Sequence, residues 1–410
     1  MNDFADIPQA SVIIPTYNRR DELGKTLETL TEQDIDLSRF EVIVADDGSS
    51  DGSSDVALLF AERLRLKYCF QEDDGFRCGA ARNAGARLAA APVLIFLDSG
   101  TLAGPGLVSG HLAAHAGGEE RRAVIGYCYG CSQYSEDPWV PDSFHLLRPA
   151  EIARRYGGDQ RFEDIREPDY ARIGSDPMKW PLPWFYFFGM NCSALAGDFW
   201  AAGGFDERFR SWGVEDVEFG YRLHRNGVTM VLSREAWTIE MPAERSVKGL
   251  LYSLMRNGRL FLDKFREPDI ELVVDGYLGP RLGTIMSESE ALHRWTQEAR
   301  ALEVRPEIEA AAAGLDADAR VAVFGCGPSV PDWLPPAVLA DFDAGLLARA
   351  LADGKHAGHH AIGLRTALPS NSADVVIVTS RLAGLWDTHG DQIMHEAARV
   401  GRRVVLAGRC

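Results

Sequence analysis

The sequence predicts an α/β protein organised on a mainly parallel sheet, followed by a helical stretch and a second, smaller α/β domain. Three observations predict it. Short apolar runs alternate with helical patterns through the first part of the chain, a polar cluster follows the end of each run, and a fresh apolar run with a glycine turn opens at Val321. Strand, loop, helix, strand is the order of a parallel sheet, because parallel neighbours need a crossover.

The elements justify this in turn. Ser11–Pro15 is a short apolar run closed by Thr16-Tyr17-Asn18-Arg19-Arg20, and Leu23, Leu27 and Leu30 then repeat at helical spacing. Phe40–Ala45 ends in Asp46-Asp47-Gly48-Ser49-Ser50-Asp51. Lys67–Gln71 leads into Glu72-Asp73-Asp74-Gly75-Phe76-Arg77 and an Ala-rich helix, and Val93–Leu97 ends in Asp98-Ser99-Gly100. In such sheets ligands bind beyond the carboxyl ends of the strands, where these polar clusters would lie. A nucleotide with a diphosphate suits that edge: carboxylates accept hydrogen bonds from base and ribose, and Arg77 or Arg82 offsets phosphate charge.

Composition bounds the rest. The 410 residues exceed one hydrophobic core, and 46% apolar with 25% charged residues is ordinary for a folded protein. A formal charge of −17 argues against a non-specific partner in nucleic acid or an anionic membrane, whose phosphates it would repel. No basic segment followed by an apolar run opens the chain, and the most apolar stretch, Leu88–Leu97, contains Pro92 and is too short to span a bilayer, so no membrane insertion and a cytoplasmic location are expected. Seven cysteines form no disulfide pattern, and Cys128-x-x-Cys131 lacks a second pair at zinc spacing.

The stretch from Phe188 to Arg222 carries two adjacent carboxylates, Glu215 and Asp216, after the turn Trp212-Gly213. Val214, Val217 and Tyr221 can face a core on one helical stripe while the carboxylates project elsewhere. Such a pair suits a catalytic acid or base; equally, acidic residues stabilise a helix N-terminus through its dipole.

Pro15-Thr16-Tyr17-Asn18, Asp46-Asp47-Gly48-Ser49, Gly75-Phe76-Arg77, Arg82-Asn83-Ala84-Gly85 and Phe96-Leu97-Asp98-Ser99 resemble, in order and spacing, the family 2 glycosyltransferases. Gly203-Gly204-Phe205-Asp206-Glu207 and Trp212-Gly213-x-Glu215-Asp216 resemble the acceptor motif of chondroitin-synthase-like and galactosyltransferase-like members, so the likeness runs over about residues 8–245. It implies the GT-A nucleotide-sugar-binding fold and inverting transfer from a nucleotide-diphosphate sugar, of UDP type, to a hydroxyl on a small-molecule, saccharide or peptide acceptor. The resemblance assigns Asp46 and Asp47 to base and ribose, and Pro15, Thr16, Tyr17, Asn18, Arg77, Arg82 and Ser99 to the donor pocket. Asp98 falls near the diphosphate, Asp216 is the base, Glu215 holds an acceptor hydroxyl, and Trp212, Gly213 and Asn191 lie on the acceptor side. Direct displacement at an anomeric carbon needs such a base, and positive charge for the departing diphosphate.

The sequence departs from the family at the metal. Asp-x-Asp is replaced by Asp98-Ser99-Gly100, and the histidine of related enzymes is missing from Ala236–Pro242, with Thr238 and Met241 at the candidate positions. Mg²⁺ and Mn²⁺ prefer oxygen and imidazole over a thioether. A divalent cation at Asp98 stays open, with reduced or absent metal dependence expected.

Arg121–Pro183, rich in aromatics including Trp139, Tyr156, Tyr170, Trp180 and, just beyond, Trp184, Tyr186 and Phe187, reads as long loops that form either an acceptor pocket or ordinary aromatic packing. His111, His115 and His145 show no ligand spacing. A helix is expected over Arg245–Phe265, loosened at Asn257-Gly258. Another opens with the capping box Ser287-x-x-Glu290 and runs to about Leu302, and a short Ala-rich helix or linker covers Pro306–Gly314. The tail resembles a reduced, Rossmann-like methyltransferase domain. Gly325-x-Gly327 is its glycine loop and Asp341 its ribose acid, with Ser329 replacing a third glycine and little room for the first helix. The expected domains are 1–115 for the donor, 116–245 for the acceptor, a helical extension 246–318, and the tail 319–410, which offers a homo-oligomer contact. A sugar-nucleotide-binding protein without catalysis and a glycosyltransferase whose tail methylates are the competing readings.

Overall fold

The computed structural model describes residues 7–118, 120–130, 147–241, 247–278 and 282–408. The chain forms two compact units, Met1–Asn257 and Gly258–Cys410.

The first unit begins with β1 (Ala10–Thr16), α1 (Arg20–Leu30), β2 (Phe40–Asp46), α2 (Ser53–Leu59), β3 (Leu66–Phe70), α3 (Cys78–Leu88), β4 (Val93–Leu97), β5 (Thr101–Ala103) and α4 (Leu107–Ala116). It continues with β6 (Arg122–Tyr129), α5 (Pro149–Tyr156), α6 (Glu167–Ile173), β7 (Asn191–Leu195), α7 (Ala196–Ala201), α8 (Glu215–Arg225) and β8 (Thr229–Glu240). Helix α9 (Val247–Lys264) carries the division between units.

Eight strands form one sheet in the order β3-β2-β1-β4-β7-β6-β8-β5. The first four are parallel, and β1, β2 and β4 are covered on both faces, which is why they read as continuous apolar runs rather than alternating ones. Leu23, Leu27 and Leu30 of α1 close over Val12, Val42, Val44 and Ile95. Register fixes the edge that matters. Thr16 lies beside Asp46, and Asp46 beside Phe70, so the polar clusters after β1, β2 and β3 share one end. Strand β7 runs antiparallel to β4 and sets Asn191 against Leu97, which brings the chain before β7 to that same end.

The described part of Arg121–Pro183 is not a set of loops. It contains β6, paired to both β7 and β8, and the helices α5 and α6. The interior of β6, Ala123–Cys128, is buried on both faces, so no alternation betrays it. The aromatics fill a core: Tyr170 stacks on Trp180 at 5.4 Å, Trp184 meets Tyr221 at 5.1 Å, and Phe187 meets Phe219 at 5.9 Å. Trp139, Cys131 and His145 lie outside the described residues. His111 is buried and bonded to Asn191 and Ser193, and burial lowers its pKa to about 4.

The second unit comprises α10 (Pro268–Leu278), α11 (Ile285–Glu298), α12 (Arg305–Ala312), β9 (Val321–Phe324), β10 (Ala337–Asp341), α13 (Ala344–Ala350), β11 (Ala357–His360), β12 (Ala373–Val378), α14 (Trp386–Val400) and β13 (Gly401–Leu406). Its five parallel strands run β11-β10-β9-β12-β13. Helix α11 starts two residues before the expected capping box. Ser287 sits inside its first turn and bonds to the Thr284 carbonyl at 2.8 Å. Helix α9 runs unbroken through Asn257-Gly258.

No helix separates β9 from β10, as the short spacing required. Asp341, the acid expected at a ribose, is saturated by the protein instead. Its carboxylate accepts from Gly327 N at 2.8 Å and Asp343 N at 2.9 Å, and pairs with the buried Arg381 at 2.7 Å. A buried arginine in that place closes the position to a cofactor hydroxyl and makes the pair part of the interior. Among the described residues, no helix is long and apolar enough to cross a membrane.

Candidate active site

Four strand ends build one side. Pro15 and Thr16 are buried at the end of β1, Tyr17 is exposed and donates to Asp73 at 2.9 Å, and Asn18 joins two loops by accepting from Ser50 N at 2.8 Å. Asp46 closes its own turn: one oxygen accepts from Gly48 N and Ser49 N, at 3.0 and 2.7 Å, and the other from the Tyr68 hydroxyl at 2.6 Å. Asp47 holds the next loop, accepting from Gln71 at 2.5 Å and from Arg77 N at 2.7 Å, with the Arg77 guanidinium at 3.4 Å. Burial raises the Asp47 pKa above the usual carboxylate value. Both aspartates thus shape the loops, and their roles as nucleotide contacts would be additional to that. Ser99 is buried next to Asp98, whose side chain is 39% exposed.

Helix α3 delivers Arg82 into the centre. Its side chain is 2% exposed, and the guanidinium donates to Asp98 at 2.8 Å and to Glu215 at 3.0 Å, over the face of Phe205 at 5.1 Å. The backbone at Gly189 lies against it: a Cβ there would stand 2.5 Å from Arg82 Nη2. Its neighbour Asn83 ties α3 to the Gly203–Glu207 turn through Phe205 N and O, at 2.9 and 2.8 Å.

The acidic pair opens α8. Asp216 is partly exposed and accepts from Gly189 N at 2.7 Å and Val217 N at 2.8 Å. Glu215 is buried, and its second oxygen has no hydrogen-bond partner among the described residues. Burial raises both pKa values, with the Asp216 charge adding to the effect on Glu215, which reaches about 7; Arg82 opposes the rise in both. The turn before them is strained. Val214, β-branched and buried, has φ 76°, a region that costs a non-glycine residue about 1–3 kcal/mol. Asn257 of α9 holds that turn, donating to Ser211 O at 2.7 Å and Gly213 O at 2.6 Å and accepting from Ser211 Oγ at 2.8 Å.

The structure thus brings Arg82, Asp98, Glu215 and Asp216 together, with Trp212 and Gly213 in the adjoining turn. Asn191, expected towards the acceptor, faces the sheet interior instead: it is 1% exposed and donates to Tyr127 O at 3.0 Å and Ala236 O at 2.8 Å. Gly189, Gln71 and Asn257 are not among the site residues the sequence points to; Asn257 reads there only as a weak point of a helix and Gln71 as a strand end. Only Gly189, inside the acidic-pair stretch, carried a local signal.

The family model described as Glycosyl transferase family 2 matches residues 11–195, and the one described as N-terminal domain of galactosyltransferase matches 171–242. Over 411 residues the chain is 42% identical to a validoxylamine A glucosyltransferase of Streptomyces hygroscopicus subsp. jinggangensis (strain 5008), covering 97% of both proteins. This chain belongs to glycosyl transferase family 2. The enzyme is also 30% identical over 312 residues to the uncharacterized glycosyltransferase YfnE of Bacillus subtilis (strain 168), 69% of this chain and 78% of that protein. It is 33% identical over 229 residues to the chondroitin synthase of Escherichia coli, 53% of this chain and 32% of that one. The sheet of the first unit is accordingly the GT-A sheet, and the glycosyltransferase moves a sugar from a nucleotide sugar.

A divalent cation does not fit the residues of this glycosyltransferase in the family manner. Asp98 is engaged by Arg82, and Thr238 is buried beside Asn191 in the sheet. Met241 donates its backbone N–H to Gly100 O at 3.0 Å, and a thioether is a poor ligand for Mg²⁺ or Mn²⁺. Among the described residues, no three of His, Cys, Asp and Glu cluster closely enough to hold a metal.

Proposed function

We propose that the protein is an inverting glycosyltransferase in which Asp216 takes the proton from an acceptor hydroxyl while that oxygen attacks the anomeric carbon of a nucleoside-diphosphate sugar. The new C–O bond forms as the bond to the diphosphate breaks, and the electron pair leaves on phosphate. The observation that carries the reading is the setting of Asp216. Two backbone N–H groups fix its carboxylate at the start of α8, it remains partly exposed, and its neighbours Glu215 and Asp98 are both held by Arg82. A raised pKa makes the carboxylate a better proton acceptor than an ordinary surface aspartate. Tyr17, Asn18 and the Asp47 loop border the nucleoside, and Trp212 and Gly213 border the acceptor.

The 42% identity over nearly the whole of a validoxylamine A glucosyltransferase supports a glucosyl donor and a small-molecule acceptor. The test is incubation of purified protein with UDP-glucose and a panel of other nucleotide sugars, with validoxylamine A as first acceptor. Transfer with a β-linked product from an α-linked donor supports the reading. A product of retained configuration overturns the mechanism, and neither transfer nor hydrolysis of any nucleotide sugar overturns the function.

A further inference from the structure

Gly100 stands two positions beyond Asp98, where the family pattern has its second aspartate, and more than a missing carboxylate distinguishes it. Its φ of 90° lies in the left-handed region, and a Cβ there would come within 2.9 Å of Arg19 Nη2 and 3.2 Å of Arg19 Cζ. The space a carboxylate would enter is therefore already bordered by a guanidinium, which reaches from the end of β1 to the end of β4.

We propose that Arg19 binds the diphosphate of the donor and supplies the charge that a cation supplies in Asp-x-Asp enzymes, an inference that rests on the function proposed above. The charge count agrees. A carboxylate with a divalent cation adds a net +1 beside the diphosphate, and one guanidinium in place of both adds the same. The fork of arginine also matches phosphate oxygens in pairs.

Arg19 is available for this in a way Arg82 and Arg77 are not. Arg82 serves Asp98 and Glu215, and Arg77 serves Asp47. The ion pair of Arg19 among the described residues is with Glu22 at 4.0 Å, the outer limit of such a contact, and its side chain is 28% exposed. It sits beside Asn18, on the loop that borders the nucleoside. Its charge thus faces the strand ends, with little to neutralise it before a ligand arrives.

The test is titration calorimetry of the full chain with UDP, with GDP in parallel, and with uridine, in chelator and in Mg²⁺ or Mn²⁺. Wild-type protein should bind the diphosphate with chelator present within about twofold of its affinity with metal, on the strength of the guanidinium contact. Arg19→Gln should lose roughly 10- to 100-fold in diphosphate affinity, the value of a lost charge-assisted contact, while uridine affinity is unchanged. Arg19→Lys, which keeps the charge without the fork, should fall between. Equal diphosphate binding by wild type and Arg19→Gln, equal loss of uridine and diphosphate binding, or a wild type that binds the diphosphate only with metal each overturns the inference while leaving the proposed function standing. A wild type that binds neither diphosphate overturns both.

Discussion

Arg82 donates to Glu215 at 3.0 Å across 133 positions of sequence, and the same guanidinium holds Asp98 at 2.8 Å. One buried cation thus joins the end of β4 to the helix that carries the acidic pair. Positioning and electrostatics are here a single device, since the contact that orients Glu215 also makes a second carboxylate beside Asp216 tolerable. Such a contact stabilises only while both partners are present, because a lone buried charge keeps its full desolvation cost.

Arg82→Met keeps the apolar stem over Phe205 and removes the charge. At pH 8 it should lower unfolding stability by about 3 kcal/mol, the low end for breaking a buried pair. Adding Glu215→Gln should recover at least half of that loss. Urea unfolding of the four proteins in the cycle checks it, and simple additivity of the two single effects would show that the residues are not coupled.

Asp216→Asn keeps an acceptor for Gly189 N but cannot take a proton. Turnover should fall by about 10²- to 10⁴-fold, the usual worth of a positioned base, with donor affinity within about twofold of wild type. Steady-state kinetics and calorimetry with the nucleoside diphosphate check it. Lost donor binding with turnover per bound donor intact would move the base elsewhere.

Strands β1, β2, β3 and β4 were readable because each apolar run stops at a polar cluster that the sheet places at its functional end. The acidic pair was readable through its motif. Strand β6 was not, since burial on both faces erases alternation and its neighbours α5 and α6 are short. The contacts of Arg82 with Glu215 and of Asn257 with the Ser211–Gly213 turn carry no local signature, because each joins segments distant in sequence. Arg19 meets Gly100 because β1 and β4 are neighbours in the sheet. Asn191 shows the opposite error: it lies in a motif stretch, but the pleat turns it inward to the Tyr127 and Ala236 carbonyls. In the tail, the glycine loop and Asp341 have the look of a cofactor site, yet the Asp341 carboxylate is paired with the buried Arg381.

The pKa shifts set a pH dependence of activity. As the proposed base, Asp216 must be ionised, and burial raises it above the ordinary 3.8, so kcat/KM should rise with pH through a limb displaced upward from that value. Glu215, raised to about 7, ionises later. A second inflection near pH 7 should therefore be present in the wild type and absent in Glu215→Gln. A pH–rate profile that is identical in both proteins would remove Glu215 from the titration.

The same shift bears on stability. A carboxyl whose folded pKa lies above its unfolded 4.5 holds its proton more tightly in the folded state, so its contribution is complete below pH 4.5 and is lost as pH rises towards about 7. Between those values wild-type stability should fall relative to Glu215→Gln. Denaturant midpoints across that range check the sign, and a relative rise would mean that Arg82 outweighs burial at Glu215.

Asn257 lies outside both matched family regions, yet it satisfies the carbonyls of Ser211 and Gly213 immediately before the strained Val214. The strain is what aims α8, because the left-handed step at Val214 sets where Glu215 and Asp216 begin. Asn257→Ala should cost about 1–2 kcal/mol in stability from the unpaired groups, and it should lower kcat about tenfold with little change in donor KM, as the turn relaxes towards ordinary backbone. Val214→Gly added to it should restore part of kcat, since glycine adopts φ 76° without penalty, even though the apolar contacts of Val214 are lost and stability falls further. Kinetics and thermal unfolding of the wild type and the two variants separate the two roles. Lost stability with unchanged kcat in Asn257→Ala would make the residue a brace for the helix alone.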